Sequence, residues 1–206
     1  SGRDDIGHIY TQEPKQEGER RFVLKRPAPG QTGIVAIAWR VPAGLDQDHL
    51  RLRVMASILG EGKSSRLYRA LVDTGLALSV YLFDFPNFDP GLMTIFVTLA
   101  PGVAHHVVEK AVIGVIELVK TQGVLDEELQ RVRRAVKVSH AFRQDSIGSR
   151  LSGINEAIAI GDWKYEAEFV ERFCAIDAAS CVQALKTYMH EDAQTVGYFI
   201  AQGEGL

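Results

Sequence analysis

The chain has 206 residues, 46% of them hydrophobic and 24% charged, with a net charge of −3. That length gives one large or two small domains with a substantial core, so a disordered or fibrous chain is excluded. The mild acidity argues against a nucleic-acid partner, and no run of about 18 apolar residues exists to span a membrane.

The chain opens Ser1-Gly2-Arg3 without Met, as expected of a processed or cut segment, and the compartment stays open. Residues 1–20 are polar and aperiodic, the pattern of an arm or linker. Arg21 to Lys25 alternates as a short strand, broken at Pro27. Ile34 to Val41 is a strong strand, closed by Pro42 and Gly44. Asp46 or Asp48 caps a helix running to Leu59. A second helix spans 64–74, with Ser64 as its cap, Leu67 and Leu71 on one face and Gly75 as its stop.

Two strands follow, Leu78 to Phe85 and Leu92 to Leu99, joined by a turn-rich loop. This is a hairpin, hence antiparallel. The remainder is mostly helical. Ala104, Val108, Ala111, Val115 and Val119 mark a long amphipathic helix. Asp126 caps the next, with Leu129, Val132 and Val136 inward. Ile147, Leu151, Ile154 and Ile158 mark another, ending at Gly161. Phe169 and Phe173 mark a short helix. Asp177 opens a last one through Leu185, and Thr195 to Ile200 is a closing strand. The order predicts an α+β fold, a mostly antiparallel sheet packed against helices in two layers, over 21–206.

The stretch Ile58 to Gly75 superficially resembles a phosphate-binding loop ending Gly62-Lys63-Ser64. Its first glycine would fall at Ser57, and the approach is helical rather than a strand, so the nucleotide reading fails. His106, Glu109 and Lys110 approximate an inverted zinc motif. An ammonium stands where the second imidazole should be, and adjacent His105 and His106 point about 100° apart on a helix. They read as a solvated helix face. His8, His49, His140 and His190 have no partner at ligand spacing. Cys174 and Cys181 read as small buried groups rather than a bridge. Asp126 to Glu128 suits the helix dipole. Arg131, Arg133, Arg134 and Lys137 read as a solvated basic face. Lys63, Arg66 and Arg69 beside the flexible turn are candidates to hold an acidic group or a peptide carboxylate, with a plain exposed helix start as the alternative.

Several segments together resemble the insulinase/pitrilysin family of zinc metallopeptidases. They are Ile34 to Val41, Ile58-Leu-Gly-Glu-Gly-Lys-Ser-Ser-Arg-Leu-Tyr-Arg-Ala-Leu71 and Gly75-Leu-Ala-Leu-Ser-Val80. Asp89-Pro-Gly91, Gly123 to Leu129 and the arm Tyr10 to Arg21 fit the same pattern. The chain is most similar to the second, C-terminal domain of a bacterial short-chain member. The resemblance implies homologous α+β domains around a closed peptide chamber, with the zinc motif and its Glu base in the N-terminal domain. Arg51, Val54 and Met55 stand where the motif's His, Glu and His would fall. The family's substrate-holding Arg and Tyr align with Leu71 and Leu78. The resemblance therefore implies a non-catalytic domain with no catalytic or metal residues of its own. Its implied partners are the zinc-bearing domain, peptide, and a related subunit in a homo- or heterodimer. An assembly subunit without peptidase activity is the alternative.

Overall fold

The computed structural model describes residues 14–28 and 30–202. His8 and most of the predicted arm lie outside the described residues. Five strands, β1 (Arg20–Pro27), β2 (Ile34–Val41), β3 (Ala77–Asp84), β4 (Gly91–Leu99) and β5 (Gln194–Gln202), form one sheet in the order β1-β5-β2-β4-β3. All pairings are antiparallel except β1 with β5, so the fold is the expected α+β arrangement.

Alternation explains the layers. Val35, Ile37, Trp39 and Val41 of β2 and Met93, Ile95, Val97 and Leu99 of β4 are buried against helices, at every second position. Helices α1 (Gln47–Gly60), α2 (His105–Gln122) and α6 (Ala178–Tyr188) pack on this face of the sheet. Outside α1 lie α3 (Asp126–Gln144) and α5 (Tyr165–Ala175), and α4 (Ile147–Ala159) packs on α3 and α5. What remains of the arm is pinned at its end: Gln16 donates to the carbonyl of Gln194, and Gln194 donates to Glu19.

Asp46 caps α1, its carboxylate accepting from the Asp48 amide at 2.7 Å. Asp46→Ala should lower stability by about 1 kcal/mol, read as a shift in urea midpoint without a change in slope. Asp177 caps α6 in the same way through Ser180. These bonds to the Ser180 backbone and side chain hold the Asp177 carboxyl below its ordinary range.

Four sequence expectations are corrected. Ser64 does not cap the second helix; Ser65 is buried and its hydroxyl faces the Tyr68 amide. That helix winds into a π turn over Tyr68–Val72, closed by Asp73 N–H to Tyr68 O and Leu76 N–H to Leu71 O. Leu67 and Leu71 are both buried in the core. Asp126 does not cap α3. Glu128 does so from inside the first turn, accepting from the Leu125 amide. On α2, the fully buried stripe is Val108, Val112, Ile116 and Val119, so Ala111 and Val115 lie at its margin.

Helix α4 forms where its apolar spacing places it, but turns its large apolar residues outward. Its buried side is Gly153, Ala157 and the following Ile160, whereas Ile147, Leu151, Ile154 and Ile158 are exposed. The cause is close packing on α5. A Cβ on Gly153 would lie 2.8 Å from the Glu166 carboxylate, so the small-residue face turns inward and the wide apolar face turns out.

Candidate functional site

The turn after α1 is built by Gly62 at φ +78, a backbone that side-chain-bearing residues rarely adopt. It exposes Lys63 and Ser64, and the chain then descends through buried Ser65. Arg66 turns back to α3. Its Nε and Nη2 donate to the two Glu128 oxygens at 2.8 and 2.6 Å, and Nη2 also donates to Gly123 O at 3.0 Å. The pair is nearly sealed from solvent, at 13% and 11% side-chain exposure. The Arg66 bonds, helped by the Leu125 amide, hold the Glu128 carboxyl below its ordinary range despite partial burial. Arg66 and Arg69 share a shallow groove of about 470 Å³ with Leu118, Gly123, Leu125 and Glu128. Lys63 stands outside its lining.

A second constellation joins α2 to the sheet edge. Arg21 on β1 forks onto Glu109 at 2.5 and 3.1 Å and onto Glu19 at 2.6 and 2.8 Å, and the Tyr198 hydroxyl donates to Glu109. Burial pushes Glu109 up, but the Arg21 and Tyr198 hydrogen bonds outweigh it and leave the carboxyl below its usual range. Tyr198 is raised, by burial and then by its bond to Glu109. His105 and His106 turn apart. His105 Nε2 meets Phe199 O at 2.8 Å, while His106 lines a cleft of about 540 Å³ with Glu109, Lys110 and Trp39.

The donor set does not fit zinc. Glu109 is committed to Arg21 and Tyr198, and Lys110 is a cation. On α1, Arg51 pairs with Asp48 at 2.6 Å, and Val54 and Met55 are buried apolar side chains. Among the described residues no cluster of three or more His, Cys, Asp and Glu is placed to hold a metal. Leu71 is completely buried, and Leu78 is exposed at a β-bulge between Ala77 and Ser79. Cys181 is buried and its thiol is pushed up to about 12 by burial; Cys174 is half-buried, and both are free.

Some pairings escaped the sequence reading. His49 is buried with Asp84 of β3 at 3.1 Å. Arg133 donates to Ile176 O and Arg131 to Glu61 O, so only part of the α3 basic cluster is solvated. The position of Glu128 three residues after Leu125 was the one local signal of its capping role. Nothing local marked Arg66 as its partner.

The face of the sheet turned away from the helices is apolar where an ordinary free face would be polar. Phe22 and Leu24 of β1, Leu92 and Phe96 of β4, and Tyr81 and Phe83 of β3 are all exposed. Phe83 stacks beside Phe85 at 6.0 Å and meets Phe96 edge-on at 5.6 Å. Between the aromatic flanks the cross-strand neighbours are small: Ala36 lies opposite Gly197 and Ala38 opposite Thr94.

The sequence and the fold place the chain in one family. The family model described as the peptidase M16 inactive domain matches residues 7–136, and the chain belongs to this family. It is similar to the zinc protease PqqE of Helicobacter pylori, at 23% identity over 93% of this chain and 43% of that protein. Among solved structures, a protease from Helicobacter pylori superposes with TM-score 0.89 at 21% identity, covering 96% of this chain and 48% of the other. The inactive peptidase domain from Bordetella parapertussis superposes at 0.78 with 27% identity, covering 88% and 97%. The chain thus spans less than half the length of the Helicobacter relatives.

Proposed function

We infer that this chain is the non-catalytic, C-terminal half of a zinc-dependent metalloendopeptidase. It completes a peptide-binding chamber whose zinc and general base come from an N-terminal half. The observation that carries the reading is the apolar sheet face. An antiparallel sheet with one solvated face alternates apolar inward and polar outward. Here Phe22, Leu24, Tyr81, Phe83, Leu92 and Phe96 break that rule on the outer face, which is the signature of a surface covered by a second body. A half-length family member has such a body available in the rest of a relative-sized chain.

In this reading peptide is held by main-chain hydrogen bonds along a terminal strand, β1 or β3. Lys63 and Arg69 supply positive charge for an acidic side chain or the peptide carboxylate. Arg66, already engaged by Glu128, fixes the wall of the groove that Arg69 lines, with Lys63 outside it on the turn. In the complete enzyme zinc activates water for attack on the peptide bond. No step of that reaction is assigned to residues of this chain.

The test compares the isolated, tag-free chain with the full gene product, each with and without chelator. The isolated chain should cleave no peptide, and the full product should do so in a chelator-sensitive way. Stoichiometric zinc in the isolated chain would overturn the assignment. A full-length product with a degenerate zinc motif and no activity would instead establish the alternative, an assembly subunit of the same fold.

A further inference from the structure

A buried donor in the wall of the cleft beside α2 has no partner. Trp39, near the end of β2, is 1% exposed, and its indole N–H finds no acceptor among the described residues. A sealed donor left in this way raises the free energy of the chain, so an acceptor brought to it is favoured. Trp39 lines the cleft of about 540 Å³ between α2 and the β1–β5 side of the sheet. That volume is ordinary for a small-ligand site.

The walls decide what such a ligand is. Along α2, His106, Lys110, Ile113 and Glu117 all line the cleft, and their spacing puts them on one helix face about 16 Å long. Met189 and His190, which follow α6, and Gln194 of β5 complete the lining. The inner carboxylates are already engaged. Arg21 and Gln194 donate to Glu19, Arg21 and Tyr198 donate to Glu109, and Lys120 donates to Glu117 at 2.6 Å. The groups left over are donors: the Trp39 N–H, the Lys110 ammonium and the imidazoles of His106 and His190. None of them has a hydrogen bond or ion pair among the described residues.

We propose that this cleft binds the carboxylate of an apolar ligand. One carboxylate oxygen accepts from Trp39 Nε1, and Lys110 supplies the opposite charge. The apolar body lies against Ile113, Ile116 and Met189. Charge rules out the other ligand classes. A cation would meet an unpaired N–H and an unpaired ammonium, and the free carboxylate, Glu191, is exposed at the rim. A phosphate would bring two negative charges to a wall where Glu19 and Glu109 already outnumber Arg21. The wall is as long as about four extended residues, so the free carboxyl end of a peptide fits it, as does a short apolar acid. The inference stands apart from the peptidase reading, because it uses no residue of the sheet's outer face or of the Arg66 groove.

The experiment is calorimetric titration of the full gene product, with chelator present so that no peptide is cleaved. The probes are acetyl-alanyl-alanyl-leucine with a free carboxylate, its carboxyl-terminal amide, and hexanoate. The amide should bind at least 10-fold more weakly than the free acid, since it loses the charge-assisted bonds. Lys110→Met, at an exposed position that should fold like the parent, should weaken the acid about 10-fold, and Lys110→Arg should restore most of the loss. Trp39→Phe should weaken it by a similar factor. It also identifies the Trp39 indole N–H signal in a proton–nitrogen spectrum, and that signal should move as the parent is titrated with the acid.

Tighter binding of the tripeptide than of hexanoate assigns the cleft to peptide ends, and the reverse order assigns it to free acids. Equal binding of acid and amide overturns the proposal. So does binding that leaves the Trp39 signal unmoved and is indifferent to Lys110→Met, which would place the carboxylate elsewhere in the protein. Absence of binding by all probes at millimolar concentration overturns it as well. A gene product without peptidase activity would leave the proposal standing, so the two readings fail separately.

Discussion

Leu71→Arg should leave little folded protein, whereas Leu78→Tyr should fold like the parent. The family resemblance implies a substrate-holding Arg and Tyr at these two positions, and the pair of exchanges asks whether the fold accepts them here. Leu71 has no accessible surface, and its carbonyl closes the π turn with the Leu76 amide. A guanidinium there would be buried without a carboxylate partner and would exceed the volume of a leucine. Its cost should be about 4 kcal/mol or more, comparable to the whole stability of many domains. Leu78 is the extra residue of a β-bulge and is 56% exposed. Tyrosine there should change stability by no more than about 0.5 kcal/mol. Urea unfolding of both variants decides the matter. A Leu71→Arg midpoint equal to the parent's would show that the side chain escapes to solvent and that the site can be rebuilt.

That asymmetry also shows which parts of the molecule the sequence could reveal. Elements whose burial follows from their own periodicity were legible. Strand β2 alternates and its end is marked by Pro42 and Gly44, and the antiparallel pairing of β3 with β4 follows from the hairpin. Helix α1 was legible from Asp46 through Leu59 for the same reason. Helix α4 was legible as a helix, but periodicity identifies an apolar stripe and not the side on which it is covered. The choice between its two faces was made by Gly153 and Ala157, whose small size lets α5 approach. Polar pairs between distant segments left no local trace. His49 on α1 finds Asp84 at the end of β3, Arg21 finds Glu109 across 88 residues, and Arg66 finds Glu128 across 62. The candidate site was therefore legible as a set of cations beside a turn. That one of them was already engaged could be seen only in three dimensions.

The Arg66–Glu128 pair gives the second large expected effect. Removing either partner by alanine should cost about 3 kcal/mol, because the survivor is a charge left nearly sealed from water. The double variant should cost less than the sum of the two, since neither charge is then stranded. Glu128→Gln separates the charge from the cap: its amide oxygen still accepts from the Leu125 amide, so it should be milder than Glu128→Ala by about 1 kcal/mol. The charge also sets a pH signature. The Glu128 carboxyl lies below its ordinary 4.5 in the folded chain, while the unfolded chain titrates near that ordinary value. Below 4.5 the unfolded state therefore takes up the proton first, and the stabilisation is lost as pH falls through the lower folded value. Above 4.5 it is fully present. The difference in unfolding free energy between parent and Glu128→Gln should accordingly be flat through neutral pH and shrink as pH falls below 4.5. Glu19, Glu109 and Asp177 are also depressed, so both proteins weaken in acid and only the difference reports on Glu128. A difference that stays constant from pH 7 to pH 3 would mean that the carboxylate contributes through hydrogen-bond geometry alone. The arginine would then be free to turn outward into the groove and join Arg69 in meeting an anionic ligand.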